Sequence, residues 1–406
     1  MITRIPPVWI LAAIALSQAI VGQFVMFGLP LFLREAGVGS EITAMIFLAA
    51  IPYVARFVWA PLVDHFGLKN LGHYRSWLIG SQAIVVAAVA ALWMWGDPAN
   101  DGMRTILMLP PLTIALGTQL VALAGMTTTL LHSEDYGRAA SLQSAAAGLA
   151  GFLLGAVGLY LLGSLGWRAV VGAVFLQSAL SLLLILLHEL DQKTIKSTTT
   201  SVAHTFAAIF SLFRRKNLAA LFIVLTVTTV GIDIGYGMKS LILSDAGLGV
   251  QQAGLWGIVV ANLAGMLAAL AARSLIARVD ELKVLLVLGA LSGVWTLGFA
   301  TVLTVDTDAR LAIAFIVGAV ALVFAGAVVS QSLLMRLVDH RTASTEIAVF
   351  GALGGVAALL INAVASAALD RIGLPSVLLV GGTVSLAGAA VGAWIARHQR
   401  LLKVAA

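Results

Sequence analysis

The sequence predicts an all-α, polytopic membrane protein, with twelve transmembrane helices in two pseudo-symmetric six-helix bundles. Three observations carry this. The chain has 406 residues, of which 61% are hydrophobic and only 10% charged, and its mean hydropathy is +1.04. Apolar runs of ~20 residues, each enough to cross ~30 Å of hydrocarbon, recur along the whole length. One long polar stretch, 189–216, divides those runs six and six. Uniformly apolar segments satisfy their backbone in lipid as helices, and they lack the alternation of a membrane barrel.

Taken in order, the spans fall at about 8–33, 41–63, 76–96, 103–131, 139–163, 167–188, 217–243, 250–272, 284–304, 310–335, 343–368 and 375–396. The first follows Arg4 and resembles the start of a signal peptide. It runs from Val8 to about Leu33, too long for a cleavable apolar core, so it reads as a spanning helix. The expected organisation is therefore an N-terminal bundle over 1–188, a cytoplasmic linker over 189–216 and a C-terminal bundle over 217–406. The linker holds Lys193, Lys196, Arg214, Arg215, Lys216 and the polar run Ser197-Thr-Thr-Thr-Ser201. Its Phe206–Phe213 part alternates enough to lie as a short helix in the interface.

Cations set the orientation. With the N-terminus in the cytoplasm, 17 Lys and Arg face inside and 5 face outside, while Arg56 and Lys239 lie within spans. That bias places both termini inside. The halves also echo each other. Asp135-Tyr-Gly-Arg138 precedes a span with Gly148, Gly151, Gly155 and Gly158, and Asp339-His-Arg341 precedes one with Gly351, Gly354 and Gly355. Small residues four apart let helices approach closely, either as ordinary packing or for rocking bundles.

Several functions are excluded by what the sequence lacks. There is no Cys, hence no disulfide or thiolate metal site. The seven His residues show no paired metal spacing, and His132, His188, His204 and His340 are isolated. No phosphate-binding Gly-rich loop or soluble domain is visible, which argues against ATP hydrolysis, a membrane enzyme or a receptor. No cofactor and no metal is expected. The net charge of +6 reflects topology rather than nucleic-acid binding.

Two charges within spans are the leading candidates for chemistry. A charge near the bilayer centre costs at least ~2.5 kcal/mol, so it faces a partner, a water-filled path or a ligand. Arg56 shares a helix face with Tyr53 and Trp59, each three residues apart. It either holds an anionic group or acidic partner in a cavity, or forms a structural ion pair or snorkels. Asp233 shares a face with Tyr236, Gly237 and Ser240, among glycines at 231, 235 and 237 that would let the helix bend. A lone buried carboxylate of this kind either carries a proton or substrate, or pairs structurally with a cation. Lys239 is about 240° round the helix from Asp233, so the two do not pair; it either attracts anions at the outer mouth or snorkels. Together these three charges leave the region net positive, which points to an anionic solute.

Uncharged polar residues within spans are Gln18, Gln23, Gln119, Asn262, Ser330, Gln331 and Asn362, each either a path-lining group or an interhelical hydrogen bond. Trp9, Trp93, Trp95, Trp167 and Trp394 near span ends read as interface anchors.

Between the second and third spans the chain reads Ala60-Pro-Leu-Val-Asp-His-Phe-Gly-Leu-Lys69, then Arg75. This resembles the loop signature of the major facilitator superfamily, Gly-x-x-x-Asp-Arg-x-Gly-Arg/Lys. Asp64, Gly67 and Lys69 match, whereas Ala60 and His65 depart from it. The stretch Pro52-Tyr-Val-Ala-Arg-Phe-Val-Trp-Ala-Pro-Leu-Val-Asp64, then Arg75-Ser-Trp77 and Gln82, is similar to the peptide–acetyl-coenzyme A–drug transporter (AmpG-like) branch. Gly117-Thr-Gln-Leu120 matches that branch's Thr-Gln-Asp segment, with Leu120 where an Asp is usual, and Leu243-Ser-Asp-Ala-Gly-Leu248 also resembles it.

The resemblance implies a proton-coupled secondary importer in a bacterial inner membrane, working by alternating access. Length and span count point to the twelve-span ferric-siderophore importers of the rhizobactin and pyochelin type. The alternatives are an importer of muropeptides or another amphiphilic anion, or a drug exporter. The resemblance further implies a cavity lined by the first, fourth, seventh and tenth spans, which draws in Gln18, Gln23, Gln119 and Gln331 as substrate-binding candidates beside Tyr53, Arg56, Tyr236 and Lys239. Asp233 would couple the proton. Asp64, Gly67, Lys69, Arg75, Asp135 and Arg138 would gate the inner face, with Asp64 capping a neighbouring helix. The expected partners are an anionic small molecule, protons and the bilayer, with the chain a monomer.

Overall fold

A computed structural model describes residues 6–35, 45–46, 48–68, 70–98, 100–188, 206, 209, 216–302, 308–339 and 341–398. The linker expected at 189–216, including its interfacial helix, lies almost wholly outside the described residues. Regular structure among these residues is helical, and two isolated bridges, Leu68 with Gly72 and Asp97 with Asp101, close short turns.

Eleven described helices are long and apolar enough to cross a bilayer. They are α1 (Pro7–Met26), α3 (His73–Trp95), α4 (Gly102–Leu130), α5 (Ser133–Gly158), α6 (Trp167–Leu187), α7 (Ala219–Gly237), α8 (Gln252–Ile276), α9 (Glu281–Ala300), α10 (Ala309–Leu337), α11 (Ala343–Leu369) and α12 (Arg371–Arg397). The short helix α2 (Ala60–His65) stands between α1 and α3. The protein is thus a multi-pass membrane protein. At ~1.5 Å per residue a helix of 20 residues already spans ~30 Å.

The second span departs from a continuous helix over 41–63. From Ile51 onward it is a helical turn at Ile51–Val54, a 3₁₀ turn at Ala55–Val58, and α2. Proline explains the break. Pro61 has no N–H to give to the carbonyl four residues back, and its ring crowds that carbonyl. The chain bonds at shorter range instead: Trp59 N donates to Arg56 O at 3.3 Å and Leu62 N to Trp59 O at 2.9 Å. Near the start of α12 the helical path turns at Gly373, whose φ of +76° is one that side-chain-bearing residues rarely adopt, just before Pro375.

The chain forms two compact units. The first comprises Met1–Glu134, Leu153–Ile209 and Val338–Ala352. The second comprises Asp135–Phe152, Phe210–Leu337 and Leu353–Ala406. The dividing line therefore cuts through α5 and α11, and each unit takes the leading part of one helix from the other half of the sequence.

The core of the first unit gathers Val21, Phe24, Leu29, Phe32, Val89 and Leu116. The rings of Phe24, Phe32 and Trp167 pack at 5.7–6.0 Å between centroids. Trp167 also donates its Nε1 to Gly96 O at 3.0 Å, so it ties helix ends together rather than only marking an interface. Trp9, Trp93, Trp95 and Trp394 are exposed. The core of the second unit gathers Ile234, Leu243, Phe315, Val320, Phe324 and Leu378, and α5 contributes Ala140 and Ala145 to it. Lipid tails are as apolar as these side chains, so close packing and interhelical hydrogen bonds hold the units rather than burial from water. The contact of α5 with α8 illustrates this: a Cβ on Gly151 would lie 2.6 Å from the side-chain carbon of Asn262.

Candidate functional site

In the first unit, the broken second span builds a cationic corner. Residues three apart eclipse in a 3₁₀ turn, so Tyr53, Arg56 and Trp59 line up on one side. Arg56 Nη1 donates to Tyr53 O at 2.7 Å, and its guanidinium carbon stands 5.2 Å from the centroid of the Tyr53 ring. Trp59 Nε1 donates to Thr118 Oγ1 at 3.1 Å. Gly117 makes the approach of α4 possible, because a Cβ there would lie 3.2 Å from Arg56 Cβ and 3.5 Å from Tyr53 Cα. Arg56 Nη2 lies 2.8 Å from where a Cβ on Gly351 would be. Among the described residues no carboxylate forms an ion pair with this guanidinium, which is half-buried.

The polar residues of α1 and α4 go elsewhere. Gln18 donates weakly to Leu116 O at 3.5 Å. Gln119 donates to Gln82 Oε1, and Gln82 in turn donates to Ser178 O at 2.8 Å. Gln18, Gln82 and Gln119 are all buried within the helices of the first unit. Gln23 is half-buried at the end of the regular helix, where a π-helical stretch, Phe24–Gly28, begins.

A second feature of this unit surrounds Asp64. Its Oδ1 accepts from Tyr74 OH at 2.8 Å, and its Oδ2 accepts from both the backbone N and the Oγ1 of Thr345, at 2.8 and 2.7 Å. Thr345 lies in the first turn of α11, where backbone N–H groups lack partners inside the helix and a negative charge is favoured. Asp64 is therefore a capping residue supplied by another helix. The turn before α11 is braced by Glu346, which accepts from Thr342 Oγ1 at 2.9 Å and from Asp339 N at 3.2 Å. Asp64, Tyr74, Ser344, Thr345 and Glu346 are all buried. Gly125 of α4 packs directly against Ser344 and Tyr74.

The rest of the α2–α3 connection is held locally. Gly67 abuts His73, whose Nε2 lies 2.9 Å from Val63 O. Arg75 donates Nε to Ile185 O at 3.1 Å and Nη2 to Leu186 O at 2.8 Å. It thus neutralises the carbonyls that end α6. Lys69 lies outside the described residues.

In the second unit, Asp233 sits on α7. Thr229, one turn earlier, donates Oγ1 to Asp233 Oδ2 at 2.7 Å, and no described cation forms an ion pair with the carboxylate. Lys239 Nζ stands 4.4 Å above the Tyr236 ring, beyond the end of α7 at Met238. α7 stays helical through Gly231, Gly235 and Gly237, which are contact points for Thr296, Phe315 and Asn362. Gln331 of α10 donates to Gln143 of α5 at 2.8 Å. Asp135 closes the 3₁₀ turn that starts α5, and Arg138 lies one turn on.

Reasoning from the sequence missed Tyr74, Thr345, Thr229 and Gln143, and placed Thr118 in a motif without giving it a role. The series Thr342-Ala-Ser-Thr-Glu346 is a helix-start pattern that could have pointed to the capped turn. Tyr74, Thr229 and Gln143 carry no signal in a single sequence.

Comparison with known proteins agrees with this architecture. The profile described as Major Facilitator Superfamily matches residues 112–360. A transporter named AmpG 3, from Rickettsia prowazekii (strain Madrid E), is 27% identical over 198 residues, covering 47% of this chain and 46% of that protein. The anhydromuropeptide permease of Escherichia coli (strain K12) is 24% identical over 324 residues, covering 77% of this chain and 64% of the permease. The matched chain thus spans less than two thirds of each relative. Among solved structures, the human organic anion transporter MFSD10 (TETRAN) superposes with a TM-score of 0.74 at 13% identity, covering 96% of this chain and all (100%) of the other. The transporter FucP in the outward conformation gives 0.69 at 13% identity, covering 96% and 99%. With more than half of its length matched and the fold shared throughout, the chain belongs to the Major Facilitator Superfamily.

Proposed function

We propose that the chain imports an amphiphilic anion across a bacterial inner membrane by proton-coupled alternating access, and that its cargo is of the anhydromuropeptide type. One observation carries the anionic part of this reading: Arg56 is half-buried within a span, and no described carboxylate neutralises it. A buried guanidinium is stabilised by a carboxylate held bidentately, and the peptide part of a muropeptide supplies one. The Tyr53 carbonyl and ring hold the guanidinium meanwhile. The names of the relatives support a muropeptide cargo over the ferric siderophore that motif and length suggest.

The siderophore reading stands second. Leu120 supports it, because it replaces the acidic residue usual in the Thr-Gln-Asp segment of the branch that includes muropeptide permeases. In either reading Asp233, with Thr229 as its only described hydrogen-bond donor, carries the proton. Asp64 latches α11 in one conformation and releases it in the other, with both termini in the cytoplasm.

The test is uptake into cells that lack other routes for either cargo. Radiolabelled anhydromuropeptide and radio-iron on pyochelin- and rhizobactin-type chelators are offered in parallel, with and without a protonophore. Accumulation of the muropeptide alone, abolished by the protonophore, is the expected result. Accumulation of iron alone would replace this reading with the second, and uptake of neither by folded protein in the membrane would overturn both.

A further inference from the structure

The second unit contains a cavity of about 350 Å³ walled by α7, α11 and α12. On α11 its wall is a ridge of residues four apart, Leu360, Val364 and Ala368, which Ile372 at the start of α12 continues. On α7 it is Val230 and Ile234, and on α12 Val377 and Gly381. None of the eleven lining residues has a polar side chain. A water molecule needs two to four polar partners to be held in a cavity, so this one is not a water site. Several walls also face outward: Leu360, Val364, Ile372 and Val380 are each half or more exposed.

The two units differ in how their helices close. In the first unit, α1 and α6 close on each other through the rings of Phe24 and Trp167. In the second unit α7 and α12 meet at the cavity through Val230, Val377 and Gly381, which are too small to fill the gap.

We propose that this groove holds one acyl chain of a bilayer phospholipid, with the phosphate bound by Arg371. Length supports a lipid tail. From Leu360 on α11 to Ile372, just before the Gly373 turn, the helical ridge rises ~18 Å, close to the ~15 Å depth of one leaflet. Charge supports the headgroup. Arg371 is exposed at the end of the groove, next to the lining residue Ile372 and at the Gly373 turn. A guanidinium fork at that level matches a phosphate. The bound tail would complete the packing that aromatic rings provide in the first unit.

The test uses the full chain in nanodiscs of phosphatidylethanolamine and phosphatidylglycerol, spiked with phosphatidylethanolamine bearing a diazirine in its tail. After irradiation, adducts are mapped by mass spectrometry. They are expected to concentrate on residues 360–381. Ala368→Phe, which fills the groove, removes that peak, and Arg371→Glu reduces it about five-fold. Val364→Trp serves as the filling variant if Ala368→Phe does not give monodisperse protein. Adducts spread evenly over all lipid-facing helices, or a peak unchanged by the filling variant, would overturn the proposal. So would a chain–chain cross-link mapping to 360–381, which would put a second copy in the groove.

Discussion

Asp64 and Thr345 are 281 positions apart in sequence, yet the Asp64 carboxylate takes both the backbone N–H and the hydroxyl of Thr345, at 2.8 and 2.7 Å. Both residues are buried, and the contact fixes the start of α11 against the end of α2. A hydrogen bond to a charged group contributes ~1.5–3 kcal/mol, and more is lost when a buried partner is left unmade. Asp64→Asn removes the charge and turns an acceptor into a donor facing Thr345 N. The chain has no Cys, so Ser344→Cys is a clean reporter of whether this contact opens. Asp64→Asn is expected to raise the thiol-labelling rate at position 344 about ten-fold or more, and Thr345→Val to raise it less. An unchanged rate in Asp64→Asn would mean that other contacts hold α11.

Arg56 is the next test. Removing the guanidinium is expected to abolish saturable cargo binding while leaving the protein folded, since its described polar contacts are confined to Tyr53. Arg56→Lys keeps the charge but loses the bidentate fork, so it should weaken binding about ten-fold without abolishing it. Binding is read by calorimetry on purified protein and folding by its melting temperature. A drop in melting temperature as large as the loss of binding would mark Arg56 as a structural residue.

Gln119 separates a lining role from a packing role. It is buried and bonded to Gln82, which bonds onward to the carbonyl of Ser178. Interhelical hydrogen bonds in membranes contribute ~0.6 kcal/mol on average and at most ~1.7. Gln119→Leu should therefore cost about that much stability, by leaving Gln82 Oε1 without its donor, and Gln82→Leu with Gln119→Leu should recover part of it. Transport by the double variant should stay near wild type. Loss of transport with unaltered stability would put Gln119 on the cargo path instead.

How legible this protein is from sequence depends on the kind of evidence. The fold class follows from composition and run length alone, because lipid leaves the backbone almost no other choice. The exception is the second span, where Pro61 breaks a run that looks continuous when only hydropathy is read. Arg56 and Asp233 stand out because charge is rare in spans. Their surroundings do not, because Thr118 and Thr229 are ordinary polar residues whose roles come from packing. The contact of Asp64 with Thr345 joins opposite ends of the chain, and no local pattern encodes such a pairing. Gln18 and Gln119 show the converse: the same residue type in a span serves a buried interhelical bond or a cavity wall, and sequence does not separate the two.

Asp233 allows coupling to be tested apart from binding. Its carboxylate is held by Thr229 Oγ1 at 2.7 Å, with no described cation in an ion pair with it. A carboxylate that exchanges a proton with each cycle sets the energetic link to the proton gradient, whereas an amide of the same shape has no proton to exchange. Asp233→Asn keeps a hydrogen-bonding side chain beside Thr229 and leaves the volume nearly unchanged. It should abolish uphill accumulation in energised vesicles while preserving cargo exchange between equilibrated compartments. Thr229→Val should retain accumulation and shift its pH dependence, because it removes a hydrogen bond to the charged form. Equal loss of exchange and accumulation in Asp233→Asn would show that the carboxylate binds cargo or holds α7 in place, and would separate it from the proton path.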